Sequence, residues 1–533
     1  MSYVYDPSGF KQVFEQHFTY LAGVKRNALR YGSRPALHDP ATGRRWTYKE
    51  LWQDVNLLAK GLQDRGINKG DVVSLVLLNG PEFALFWLAA QRIGAVASPV
   101  NFRLAAGELA HVLTDSRPAA LIYDSELKQT AGDALARVGS KPTLAVSSDQ
   151  VDSLFAAQEL QTPLPTDIYA ETTRLYTSGT TGLPKGVSLP SIVEVLSAHD
   201  VIMHFPLSPE DRTLNMTPWF HRGGLYSGGP NPVFYAGAEA VALRQFDPGT
   251  VLDWVEEHGL TFLIGAPTNL QLLAAEQQAR PRDLQTLNGI VTMGAPLDRE
   301  ACLRYQELLT PRIFNGYGTT EAFWNTFLRP FDLPEHAGSA GRACTDDDVA
   351  VVKVFEDRQA NPDELAKQDN QEVGEVIVRS PKSGYSYVNN DTEQQARFRD
   401  GWLYIGDLAT WDQDGYVTIV GRKDDMIISG GENVHPTQVE AVLNEHPQVN
   451  DAAVVGLPDE RWGQLVVAYV VSSADAKTLE EHCHGHPMLA HYKRPRGYRF
   501  IDALPMTATG KKLHYKLREQ APNDAAAGLI QRI

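Results

Sequence analysis

The segment Tyr176-Thr177-Ser178-Gly179-Thr180-Thr181-Gly182-Leu183-Pro184-Lys185-Gly186 packs glycines, hydroxyls and one lysine into a short stretch. Glycines let backbone amides approach an anion closely, and Ser and Thr hydroxyls add donors. Lys185 brings a mobile positive charge. The combination suits a polyphosphate. It is not a Walker A loop, because no Gly-Lys-Ser/Thr triplet closes it.

Further motifs follow in order: Asn315-Gly316-Tyr317-Gly318-Thr319-Thr320-Glu321, Tyr404-Ile405-Gly406-Asp407, Gly421-Arg422-Lys423-Asp424-Asp425, Ser429-Gly430-Gly431-Glu432-Asn433 and Thr507-Ala508-Thr509-Gly510-Lys511. In this order they resemble the adenylate-forming superfamily of acyl- and aryl-CoA ligases, luciferases and peptide-synthetase adenylation domains. The resemblance spans essentially the whole chain. Residues 424–436 and Arg461-Trp462-Gly463-Gln464 are most similar to aryl-CoA ligases of the 4-chlorobenzoate type.

The resemblance implies a two-step acid–thiol ligase. A carboxylate attacks the α-phosphorus of ATP and expels pyrophosphate, and CoA then takes the acyl group from AMP. Two anions must meet in the first step, so placed cations and a metal carry much of the catalysis. Thr177, Ser178, Gly179, Thr180, Thr181, Gly182 and Lys185 would hold the β- and γ-phosphates. Thr320 would touch the α-phosphate and Glu321 would bind Mg²⁺, in the usual pairing of one carboxylate with phosphate oxygens. Gly316 and Tyr317 would flank adenine, and Gly318 would belong to the same nucleotide site. Asp407 and Arg422 would receive the ribose, since a carboxylate can accept from both hydroxyls. Ile405 stands where relatives often carry Thr or Ser.

Lys511 is the expected catalytic cation of adenylation, and the glycine register selects it over Lys512. Asp424 falls at the hinge position about which the small domain of the family turns between half-reactions. Gly430 and Gly431 would line a pantetheine tunnel, with Trp462, Lys493 and Arg494 meeting the CoA nucleotide. In Pro218-Trp219-Phe220-His221-Arg222-Gly223-Gly224, His221 would lie against the acyl group. Phe220, Ala266, Met293, Gly294, Ala295, Phe323 and Trp324 would complete the wall. Such a lining suits a flat ring or compact aliphatic acid. Arg222 is unusual there: it either meets a polar group on the substrate or pairs structurally. No Asp is evident to hold an α-amino group, which argues against amino acids.

These residues need elements to position them. Thr47-Tyr48-Lys49-Glu50 reads as a capping box, followed by a helix with Leu51, Val55, Leu58 and Leu62 on one face and Gly66 as its stop. Val72 to Leu78 reads as a buried strand. Pro81 opens a helix carrying Phe83, Phe86, Trp87 and Ile93. Ala95 to Val100, Ala119 to Tyr123 and Thr143 to Ser147 continue the alternation, which predicts α/β layers with mostly parallel sheets. Gln161 to Thr173 reads as a connection. Beyond a boundary near Arg422, a strand at 449–455, a strand at 465–471 and a helix at 437–443 predict a small α+β module. The expected division is 1–422, with the acyl and ATP sites, and a mobile 423–533, with the catalytic lysine and CoA contacts.

The chain has 533 residues, too many for one core, and a net charge of −16 that repels nucleic acid and anionic membranes. Cys302, Cys344 and Cys483 are odd in number and widely spaced, which argues against a disulfide framework. No apolar run spans a bilayer and no secretory signal or peroxisomal tripeptide is seen, so the cytoplasm is the default. His482-Cys483-His484-Gly485-His486 reads as a helix end, not a zinc site. The expected ligands are ATP, Mg²⁺, CoA and a small carboxylate, with no nucleic acid or membrane insertion and a homodimer left open. A fatty acyl-CoA ligase and a loader of a carrier protein are the nearest alternatives. A non-enzymatic nucleotide-binding protein would not need both Glu321 and Lys511.

Overall fold

A computed structural model describes all residues except 1–6, 179–183, 356, 430–431, 460, 487–488, 490 and 507–509. The chain forms two compact units. The first comprises Met1–Asp348 and Val378–Leu403, the second Val349–Ile377 and Tyr404–Ile533.

In the first unit, Thr47 accepts from the Glu50 amide while the Glu50 carboxylate accepts from the Thr47 amide, so the expected capping box forms and starts the helix Tyr48–Asp64. Leu51, Val55, Leu58 and Leu62 are buried on its inner face. Each contributes about 1.5–3 kcal/mol of transfer free energy as an upper bound. Gly66, at φ +85°, takes the left-handed conformation after the helix ends. The helix Pro81–Arg92 is buried all round, as its continuous apolar sequence demands.

A six-stranded sheet runs in the order Leu144–Ser147, Ala120–Tyr123, Val72–Val76, Val96–Pro99, Glu171–Ser178, Pro184–Pro190. Its strands are parallel except for the final hairpin. Trp87 donates to Thr173 at 2.9 Å and so ties the buried helix to the strand that leads into the phosphate segment. That strand begins at Glu171, inside the stretch expected to be a connection. Its polar residues are accommodated because Arg174 pairs with Glu171 and Thr172 bonds Leu189 across the hairpin. A nine-stranded sheet is parallel through its middle and antiparallel at its ends: at one, Ile313–Thr319 turns back into Phe323–Leu328, and at the other, Pro35–Asp39 pairs with Arg44–Thr47.

The strand Trp402–Trp411 runs from the first unit into the second, where it pairs with Val417–Arg422 in a hairpin whose turn is held by Asp412, accepting from the Asp414 and Tyr416 amides. The strands Val449–Asp459 and Gly463–Ser472 are longer than expected and pair along their whole length. Residue alternation divides them between two cores. Ala452, Val454, Val466 and Ala468 face the helices Pro436–Asn444 and Ala476–Gly485, while Ala453, Val455, Val467 and Tyr469 face the helix His514–Ala526. The three cysteines are free and buried.

Candidate active site

The described ends of the expected phosphate segment pair as strands, Thr177 with Lys185 and Ser178 with Pro184. Gly179, Thr180, Thr181 and Gly182 lie outside the described residues. Lys185 bonds Glu393, and its ammonium also lies 4.6 Å from the centre of the Tyr387 ring. Burial pushes the Glu393 carboxyl up, but Lys185 and Arg397 outweigh it and hold the group low. The Tyr387 hydroxyl donates to Glu321 Oε1 at 2.6 Å. Burial and the Glu321 charge keep that phenol protonated far above neutral pH. One aromatic residue therefore spans the phosphate lysine and the expected metal carboxylate.

Thr320 and Glu321 occupy the turn between Ile313–Thr319 and Phe323–Leu328. The turn is tight. A Cβ on Gly318 would stand 1.6 Å from the Phe323 carbonyl oxygen, and Phe323 itself holds φ +61°. Such a conformation in a bulky residue persists only where its surroundings over-determine it. Tyr317 is half-buried beside a register shift in this hairpin.

His221 and Phe220 stand with ring centres 4.6 Å apart, and Phe102 meets Phe220 edge-on at 5.3 Å. Burial, with Arg103 nearby, pulls the His221 pKa down to about 4, so the imidazole is neutral at physiological pH. Ala266 and Met293 are buried and Ala295 is half-buried. Gly294, at φ +84°, borders open space, and a Cβ there would meet nothing within 4 Å. Phe323 and Trp324 stack at 4.8 Å, and Trp324 packs on among Phe205 and Phe327 in the core. Arg222 is buried and turned away from bulk solvent, on Thr320, Ser197 and Lys382.

The second unit brings Asp407 and Arg422 directly opposite each other across a hairpin, joined at 2.9 Å. Lys511 retains more than a third of its surface, yet the protein packed round it lowers its pKa. Asp407 and Asp425 oppose that shift and Arg422 adds to it. Lys512 turns the other way, to Asp451 at 2.8 Å and Glu440 at 3.4 Å. The two adjacent lysines thus have separate surroundings, and Lys511 shares its own with the expected ribose pair.

Trp462 carries Arg461 at 5.1 Å and Arg496 at 4.2 Å from its ring centre. Lys493 donates to Gln438 at 2.8 Å, and Arg494 is bound by Glu480. Arg461 and Arg496, rather than Arg494, are the cations over the indole. Gly430 and Gly431 lie outside the described residues, and Asp424 falls in the short turn Lys423–Asp425. Tyr387 and Glu393 were not singled out from sequence. Arg496 belongs to the basic run Lys493-Arg494-Pro495-Arg496, whose resemblance to CoA-contacting segments drew attention to it, whereas no motif marks Tyr387 or Glu393.

The Thr177–Lys185 hairpin and the Thr320–Glu321 turn in the first unit, and the Asp407–Arg422 pair with Lys511 in the second, carry the residue types that the expected carboxylate-activating chemistry needs. The family model for AMP-binding enzymes matches residues 24–388, and the model for the AMP-binding enzyme C-terminal domain matches 438–511. The chain is 34% identical over 482 residues to feruloyl-CoA synthase of an Amycolatopsis species, covering 90% of this chain and 94% of the relative. It is 32% identical over 494 residues to a long-chain-fatty-acid–CoA ligase of Mycobacterium tuberculosis, covering 90% and 94%. A solved anthranilate CoA ligase in complex with anthranoyl-AMP superimposes with a TM-score of 0.86 at 26% identity, over 95% of this chain and 98% of that one. The chain belongs to the AMP-binding enzyme family. It is an AMP-forming acid–thiol ligase that uses ATP, Mg²⁺ and CoA, as its motifs imply.

Proposed function

We propose that the acid is an aromatic or cyclic carboxylate. The observation that carries this is the set of rings around the acyl segment: Phe102, Phe220 and neutral His221, beside buried Met293 and the open side of Gly294. Flat apolar walls favour a flat apolar acyl group, and stacking adds to area burial. The feruloyl and anthranoyl relatives agree with this reading, and the fatty-acid relative marks its rival.

In the first half-reaction the substrate carboxylate oxygen bonds to the α-phosphorus as the bond to pyrophosphate breaks. The phosphate hairpin with Lys185 holds the leaving group, Thr320 meets the α-phosphate, and Lys511 balances charge between carboxylate and α-phosphate. Glu321, a hard oxygen donor held by Tyr387, fits Mg²⁺, which would supply charge neutralisation at the phosphates. Asp407 and Arg422 hold the ribose. In the second half-reaction the CoA thiol adds to the acyl carbonyl and AMP leaves, with Trp462, Lys493 and Arg496 at the CoA nucleotide. The division at 422 and the hinge at Asp424 belong to this proposal, as do a cytoplasmic location and a homodimer.

The test is pyrophosphate release with Mg-ATP across benzoates, hydroxycinnamates, cyclic acids and straight-chain acids, each with and without CoA. Turnover confined to ring-bearing acids and dependent on CoA is expected. Faster turnover of straight-chain acids would overturn the substrate class. Release without stimulation by CoA would point to a carrier-protein acceptor.

A further inference from the structure

We propose that Arg222 is a positioning residue for the first half-reaction: it fixes the Thr320–Glu321 turn and does not read the carboxylic acid. The inference rests on that turn being the α-phosphate and metal site.

Arg222 follows His221 directly in the acyl segment, so a substrate contact is the first thought. Its geometry says otherwise. The side chain is buried, with its guanidinium 5.4 Å from the Tyr226 ring centre and 5.5 Å from that of Phe323. Nη1 donates to the Thr320 carbonyl at 2.5 Å, and Nη2 donates to the Lys382 carbonyl at 2.6 Å and to Ser197 Oγ at 3.3 Å. Both terminal nitrogens are committed to the protein. Nε, without a partner among the described residues, is one donor, and a carboxylate fork needs two.

The Lys382 anchor is itself fixed. Its buried ammonium lies 3.0 Å from Asp200 and 2.9 Å from Asp347. Farther along the same segment, Tyr387 holds the Glu321 carboxylate at 2.6 Å. The segment therefore grips the turn twice, at the Thr320 carbonyl through Arg222 and at the Glu321 side chain through Tyr387. A turn with Phe323 at φ +61° needs such over-determination. Arginine is required because a planar fork reaches two carbonyls while stacking on rings, and an ammonium cannot do both.

The experiment measures pyrophosphate release while acid, ATP and Mg²⁺ are varied separately, for wild type, Arg222→Met, Arg222→Lys and Glu321→Gln. Thioester formation from supplied acyl-AMP is measured in parallel. Arg222→Met should lower kcat for pyrophosphate release by about 100-fold, the scale of a small misplacement of a catalytic group. It should raise the Mg²⁺ concentration needed, and leave the KM for the acid and the ranking of acids unchanged. Thioester formation from acyl-AMP should persist. Arg222→Lys should restore part of the lost rate at the same acid KM. A raised acid KM or re-ranked acids with kcat intact, in either variant, would overturn the proposal. If Arg222→Met does not fold, the Arg222→Lys kinetics decide alone. If Glu321→Gln leaves pyrophosphate release intact, the assignment of the turn fails, and that is distinguishable from failure of the Arg222 role.

Discussion

At the scale of residues, His221 shows how burial selects a chemical form. A free imidazole titrates near 6.5, and here it is depressed to about 4 by burial and by Arg103. As pH falls from 6.5 towards 4, the unfolded chain takes up a proton that the native chain refuses, so native stability is lost across that window. His221→Phe removes the penalty. The melting temperature of the variant relative to wild type should therefore rise as pH falls from 7.5 to 4.5, and a constant difference would contradict the shift. In the same way, the acid limb of pyrophosphate release between pH 5 and 7 should keep its apparent pKa in His221→Gln. Arg222 and Tyr387 mark the limit of legibility at this scale. His221 was visible because a motif carries it. Arg222 was visible only as an oddity and Tyr387 not at all, because the roles proposed for them depend on segments far apart in sequence meeting at one turn.

At the scale of elements, local rules worked where local physics decides. The Thr47 capping box, the stop at Gly66 and the proline-opened helix at Pro81 all formed as read. Strand ends were less legible, since hairpin pairing extends Val449–Asp459 past its apolar stretch. The surroundings of Lys512, next to the expected catalytic Lys511, show what pattern reading leaves out. Lys512 binds Asp451 and Glu440, and Glu440 Oε1 also accepts from the Val454 amide and pairs with His514 at 2.6 Å. These bonds pin Lys512 to the sheet beneath it. Lys512→Met leaves the buried Glu440 and Asp451 short of a cation and should cost about 1–3 kcal/mol. It should slow adenylation more than thioester formation from supplied acyl-AMP; equal slowing would deny Lys512 its positioning role. The pH dependence has two sides. Glu440 is held below its ordinary 4.5, so its contribution is present above 4.5 and lost as pH falls through the lowered value. His514 is held above its ordinary 6.5, so its contribution is present below 6.5 and lost as pH rises through the raised value. The anchor is complete between 4.5 and 6.5, and the destabilisation by Glu440→Gln, followed by urea midpoint, should be largest there.

At the scale of the molecule, the residues proposed for the two half-reactions are spread over both compact units. Lys185, Thr320, Glu321 and His221 belong to the first, while Asp407, Arg422, Lys511, Trp462 and Arg496 belong to the second. The order of motifs made the two-step chemistry legible, because each step demands its own charges. Acid specificity was not legible to the same degree, since it depends on the volume left between walls rather than on a spacing. If the small domain turns about Asp424 between steps, the steps should be separable by mutation. Lys511→Ala removes a cation needed only while charge shifts onto the α-phosphate, and should lower acyl-AMP formation by about 10²–10³-fold, as for loss of one transition-state donor. It should spare thioester formation from supplied acyl-AMP. Asp424→Pro acts on the backbone. Asp424 lies in a short 3₁₀ turn, whose φ a proline ring can adopt, so adenylation should survive. The ring then resists the change of φ that a hinge at this residue must absorb, and thioester formation should fall instead. Single-turnover measurement of both steps in both variants decides the matter: opposite losses support a hinge at Asp424, and equal losses in both steps would show that one arrangement of the chain serves both reactions.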